Sequence, residues 1–248
     1  MGKTYEALEW AEKEYQASQQ ENLTEPAPRG KGRTPRRVSP HSGLERYQDL
    51  KTNMLNRYPE GTIKTILFVG TAHGNGASTT AINFATTLAK DCRLKVLLID
   101  TNLRTPSLHD VFKIDQAQGL SDLVGGNGRV ASPIKKVGPG NLCLLPCGGK
   151  HSDPVALFES NRFDRFLERM RERYDFVALD APPVHGSAEC RVLCSKVDGV
   201  VLVVESGKTR GPIALRAKMN LEEAGGNILA VVLNKKKYYI PEFIYRRL

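Results

Sequence analysis

Six short apolar runs punctuate the chain after residue 60: Ile66–Val69, Val96–Ile99, Leu142–Leu145, Phe176–Leu179, Val200–Val204 and Ile228–Leu233. Unbroken runs of this length, rich in branched side chains, fit strands buried on both faces, where no polar alternation is needed. Stretches with helical spacing lie between several of them: Ser78–Lys90, Arg162–Tyr174 and Gly211–Ala224. This alternation predicts an α/β fold, a doubly wound, mostly parallel sheet flanked by helices. Ahead of it, Leu44–Arg57 predicts a further helix. Nearer the N-terminus, Tyr5, Leu8, Ala11 and Tyr15 recur at three- and four-residue intervals among Glu and Lys, which predicts an amphipathic helix. One apolar stripe implies one docking surface, on the chain's own domain or on a partner.

Composition divides the chain. From Pro26 to Leu44 there is no acidic residue, while Arg29, Lys31, Arg33, Arg36 and Arg37 stand among four prolines, the make-up of a solvated linker. The expected organisation is a helix over 1–21, a basic linker over 22–43, a P-loop domain over 44–237 and a tail over 238–248. The formal charge of +9 draws the protein to anionic surfaces. The excess is concentrated in the linker, which is either simply solvated or in peripheral contact with lipid headgroups, and no nucleic acid is expected as a partner. No apolar run approaches the roughly 20 residues of a membrane-spanning helix, and the N-terminal segment is too charged for a signal peptide, so the chain is expected in the cytoplasm. Five cysteines, an odd number, argue against a disulfide framework. The C-x3-C pairs Cys143/Cys147 and Cys190/Cys194 lack the tighter spacing usual in structural zinc sites and read as buried thiols.

The first strand, TILFVG, runs into TAHGNGASTT and then a helix. Strand, glycine-rich turn and helix start make a phosphate cradle, in which main-chain amides point at an anion. The candidate nucleotide-binding residues are Gly74, Asn75, Gly76, Ala77, Ser78 and Thr79. The P-loop pattern G-x4-G-K-[ST] puts Ala77 where lysine is expected, and Ser78 where a hydroxyl would ligate magnesium. Asp100, Asn102 and Arg104 follow the strand VLLID, and Asp180 ends FVALD, at the sheet edge where open α/β folds bind ligands. A carboxylate buried there is costly without a cation, so magnesium is the natural partner of Asp100 and Asp180. Helix capping is the plainer alternative for either residue.

The segments HGNGASTTAINFA, VLLIDTNLRTP, FVALDAPPV, DPVALFES, DGVVLVVESGKTR and VVLN together resemble the bacterial tyrosine kinases of exopolysaccharide and capsule synthesis, within the partition-type P-loop ATPases. The resemblance spans nearly the whole chain. It implies ATP or ADP with Mg2+, and catalytic roles for Asp100, Arg104 and Asp180. It also implies an adenine contact from Asn234 and phosphorylation of the tail tyrosines Tyr238, Tyr239 and Tyr245. The implied partner is a membrane-embedded chain-length or co-polymerase protein at the inner face of the plasma membrane, with homo-oligomers through the motif E-x2-R-x2-R.

Three departures from the family pattern fall on three separate functions. Ala77 replaces the phosphate lysine; Asn102 stands where the second acidic motif has a carboxylate; and the ring motif appears as Glu45, Gln48 and Lys51. An amide cannot accept a proton at neutral pH, and phosphoryl transfer depends on neutralised charge. The expectation is therefore a nucleotide-binding, kinase-like protein with weak or absent activity. Two alternatives remain: an active autokinase using a displaced lysine, with Lys64 and Lys95 as candidates, and a partition-type positioning ATPase.

Overall fold

The computed structural model describes residues 40–58, 61–90, 93–126, 133–149 and 151–236. The expected N-terminal helix, most of the basic linker and the tyrosine tail lie outside the described residues. Helix α1 (Pro40–Arg57) begins four residues before the expected Leu44, with Pro40 at the first helical position, where its missing N–H costs nothing. No helix among the described residues is long and apolar enough to cross a membrane.

The remaining elements follow in the expected alternation. They are β1 (Thr65–Gly70), α2 (Ala77–Ala89), β2 (Val96–Asp100), α3 (Leu108–Phe112), α4 (Leu120–Gly125), β3 (Lys135–Lys136), β4 (Leu142–Leu145), α5 (Pro154–Glu159), α6 (Asn161–Arg173), β5 (Phe176–Asp180), α7 (Ala188–Cys194), β6 (Gly199–Glu205), α8 (Gly211–Glu223) and β7 (Ile228–Asn234). They form one seven-stranded sheet in the order β3-β4-β2-β5-β1-β6-β7. All neighbours run parallel except β3 against β4. β3 is an addition to the six expected strands; two exposed lysines carry no hydrophobic signal.

Successive residues of each central strand point to opposite faces, and both faces are apolar. Leu67 and Val69 of β1 join a cluster with Phe158, Phe163, Leu193 and Leu221 from the helices on one side. Ile66 and Phe68 join another with Met54, Phe84 and Leu88 of α1 and α2 on the other. The rings of Phe68 and Phe84 lie 5.4 Å apart, tilted, and fasten α2 to the strand that leads into it. Burying one such side chain stabilises by about 1.5–3 kcal/mol, so the contact fixes where the start of α2 sits over the sheet edge. Cys190 and Cys194 belong to the first cluster, and burial raises both thiols.

Candidate functional site

Parallel pairing sends the carboxyl ends of six strands to one edge, where Gly70, Asp100, Asp180, Glu205 and Asn234 end five of them, β1, β2, β5, β6 and β7. Between β1 and α2 the chain makes the loop read as a phosphate cradle. Gly74 and Gly76 have φ of 81° and 90°, a left-handed region that side chains with a Cβ rarely adopt. Gly76 is doubly required, because a Cβ there would come within 2.1 Å of Asn234 Nδ2. The first turn of α2 carries no acidic residue and Gly76 offers no side-chain cap, so its leading amides are available to an anion.

Side chains hold the loop in shape. Asn75 Oδ1 accepts from the Thr71 hydroxyl and the Ala72 amide, both at 2.7 Å, and Asn75 Nδ2 donates to Glu205 at 3.3 Å. Asn234 Nδ2 donates to the Asn75 carbonyl at 2.9 Å, so in this structure its amide braces the back of the loop. Asn75 and Asn234 thus support the cradle, while Gly74, Gly76, Ala77, Ser78 and Thr79 line a cleft of about 280 Å³ with His73, Asn102, Pro183 and Lys235. Complete small-molecule sites span roughly 300–1,000 Å³, so this space suits the phosphate end of a nucleotide.

The carboxylates differ in their surroundings. Asp100 is fully buried, and its oxygens accept from the amides of Asn102, Ser107 and Leu108, each at 3.1 Å. Burial raises its carboxyl, with those amides opposing. Asp180 is 1% exposed, and among the described residues neither oxygen meets a donor in bonding geometry. Burial and the Asp100 charge push it up to about 8; the Ser78 hydroxyl lies close enough to oppose that shift without completing a hydrogen bond. Once ionised, a carboxylate buried this way would need a cation, and Asp180 with Ser78 could supply ligands to Mg2+. Among the described residues no three His, Cys, Asp or Glu side chains cluster as a metal cage.

The rest of the second acidic motif serves the loop around it. Asn102 Oδ1 accepts from the amide and hydroxyl of Thr105, both at 3.2 Å, closing its own turn. Arg104 Nε donates to Glu189 Oε1 at 2.5 Å, where Glu189 is 1% exposed. Glu189 and Glu205 are site-edge carboxylates that the motif reading did not single out. Glu205 carried a signal, since it closes the apolar run VVLVV as Asp100 and Asp180 close theirs.

The two lysines considered as replacements are misplaced. Lys64 and Lys95 precede β1 and β2 at the amino edge, and Lys64 Nζ donates to the Arg171 carbonyl. Six residues of strand put Lys64 about 20 Å from Gly70, beyond reach of the cradle. The cation that borders the cleft is Lys235, whose Nζ donates to the Gly74 carbonyl at 2.5 Å. A larger groove of about 490 Å³, lined by Arg162, Arg165, Arg169 and Arg173 of α6, lies away from the strand-end carboxylates and adjoins the undescribed residues 127–132.

Known proteins share this arrangement. The AAA domain family matches residues 63–211. The tyrosine-protein kinase YwqD of Bacillus subtilis is 30% identical over 193 residues, covering 78% of this chain and 81% of that protein. The tyrosine-protein kinase CpsD of Streptococcus agalactiae is 29% identical over 77% of this chain and 82% of its own length. The solved kinase domain of the Escherichia coli tyrosine kinase ETK superposes with a TM-score of 0.76 at 25% identity, over 86% of this chain and 85% of that one. With a P-loop strand edge, a matching domain profile and relatives of this extent, the chain belongs to the bacterial tyrosine kinase family of P-loop proteins.

Proposed function

We propose that this protein binds magnesium-ATP or magnesium-ADP on the Gly74–Thr79 loop with little or no tyrosine kinase activity. In this reading it works as a pseudokinase of bacterial exopolysaccharide synthesis or export, regulating a membrane-embedded co-polymerase from the cytoplasmic side. The observation that carries the reading is a whole cradle with a depleted catalytic set. The glycine conformations, the open amides of α2 and the unmatched Asp180 carboxylate all favour an anion–cation pair. Ala77 and Asn102, in contrast, bring neither a charge to neutralise the transferred phosphoryl group nor a base for an attacking tyrosine.

Family membership supports the polysaccharide setting and the co-polymerase partner. The basic linker over 22–43 suits contact with anionic lipid near such a partner. The tyrosines Tyr238, Tyr239 and Tyr245 serve as a docking edge or as targets of another enzyme in this reading. The 1–21 helix is a further docking element of the same assembly, appended with the linker and the tail to the 44–237 domain.

The test is calorimetric titration of magnesium-ATP and magnesium-ADP into the purified chain, with phosphotyrosine measured on the same samples and Asp180→Ala as control. Binding without phosphorylation is the expected result. Self-phosphorylation that Asp180→Ala abolishes overturns the pseudokinase reading in favour of an autokinase, and no binding leaves a scaffold.

A further inference from the structure

Ala77 leaves the first turn of α2 without a cation, while Asp100, Asp180 and Glu205 stand on the same strand edge. A di- or triphosphate entering that field meets like charge unless something else neutralises it. Among the described residues, one lysine or arginine lines the cleft, and it is Lys235. We propose that Lys235, reaching in from the end of β7, replaces the missing loop lysine and neutralises the terminal phosphates of a nucleotide held on the Gly74–Thr79 loop. This inference rests on the nucleotide-binding reading above and names the side chain that makes it workable.

The backbone is bent to put the ammonium there. Lys235 has φ of 57°, one of two non-glycine residues with positive φ among the described residues. A left-handed lysine costs of order 1–2 kcal/mol, and the surrounding structure must hold it. Here Asn234 does so: its Oδ1 accepts from the Lys235 amide at 2.8 Å while its Nδ2 grips the Asn75 carbonyl. The kink turns the lysine stem back over the loop instead of letting it run on from the strand. Phosphate recognition needs a positive charge near the phosphate oxygens, and a lysine supplies it as a mobile point charge, whichever element its stem leaves.

Its present partners are suited to releasing it. Lys235 Nζ lies 3.3 Å from Glu205 Oε1 and is bonded to the Gly74 carbonyl, a neutral acceptor that a phosphate oxygen surpasses. When Lys235 swings to phosphate, Glu205 keeps Lys208 at 3.5 Å and the Asn75 amide at 3.3 Å, so no carboxylate is stranded. Lys208 does not line the cleft, and its side chain is 70% exposed. Glu205 and the Gly74 carbonyl together hold the lysine beside the cleft.

The experiment is calorimetric titration of magnesium-ATP into the full chain as wild type, Lys235→Ala, and Ala77→Lys combined with Lys235→Ala, with thermal unfolding confirming that each variant is folded. The expected result is a loss of affinity of roughly tenfold or more in Lys235→Ala, restored when Ala77→Lys returns a charge to the ordinary position. Unchanged affinity in Lys235→Ala overturns the role of Lys235 and leaves the nucleotide-binding reading standing. A loss that Ala77→Lys fails to restore also overturns it, because it assigns Lys235 to holding the loop and Glu205. Absence of binding in the wild type removes both conclusions together.

Discussion

Asp100 and Asp180 are register partners on adjacent parallel strands, both buried, yet Asp100 accepts three main-chain hydrogen bonds while neither oxygen of Asp180 completes one among the described residues. Burial raises both, Asp180 to about 8 with the Asp100 charge adding to it. A carboxyl raised by folding binds its proton more tightly folded than unfolded. Its stabilising effect is complete below the unfolded value near 3.8 and is lost as pH rises through about 8. Denaturant unfolding without nucleotide should therefore show the wild type losing stability relative to Asp180→Asn between pH 5 and 8, by about 1–3 kcal/mol. A flat difference across that range would mean that Asp180 is solvated or partnered in solution.

Gly76→Ala should damage the site twice over. The left-handed backbone alone costs roughly 1–2 kcal/mol, and the new methyl group meets the Asn234 amide. Thermal unfolding should show a lowered midpoint and calorimetry a loss of nucleotide binding. Adding Asn234→Ala removes the collision, but it leaves the backbone strain and deletes the bond that braces the Asn75 carbonyl, so little of the stability should return.

Arg104, to which the family resemblance would give a catalytic role, pairs through its Nε with the buried Glu189. Arg104→Ala should lower stability by about 1–3 kcal/mol, because it leaves a carboxylate that is 1% exposed without its cation. Glu189→Gln in the same background should return most of that loss. A urea double-mutant cycle measures the coupling, and strict additivity would show that the pair does not act together.

The proposed pseudokinase reading also predicts a gain of function. Ala77→Lys with Asn102→Asp returns a phosphate-facing cation and a carboxylate beside the cleft lined by both positions. This double variant should phosphorylate tyrosine in magnesium-ATP at a rate clearly above wild type, read by phosphotyrosine detection. An inert double variant would place the deficit elsewhere in the site.

The central sheet was legible because burial on both faces removes every polar interruption: Val200 to Val204 are all buried, and the run shows as one apolar block. The loop and strand-end aspartates were equally readable, since local motifs specify them. What escaped depends on contacts remote in sequence. Lys235 looks like one lysine of a basic tail until β7 is set beside β6 and its stem meets Gly74. Lys64 and Lys95 looked promising because they adjoin site strands, but parallel strands place their first residues at the wrong edge. β3 escaped for lack of any apolar residue, and Pro40 because a proline reads as linker as readily as it starts a helix.

The bond from Asn234 to Asn75 spans 159 residues, and β1 is paired on both sides by strands that begin more than 100 residues after it. Closing such long stretches of chain costs entropy, which the sheet as a whole must offset. The loop is therefore encoded near one end of the domain and shaped from the other. Until β7 docks, Gly74 and Gly76 lack the asparagine that holds them and the lysine that faces them. A chain truncated before β7 should therefore lose its affinity for nucleotide even where the sheet through β6 still forms, because the loop's brace and the lysine beside it both come from the end of β7.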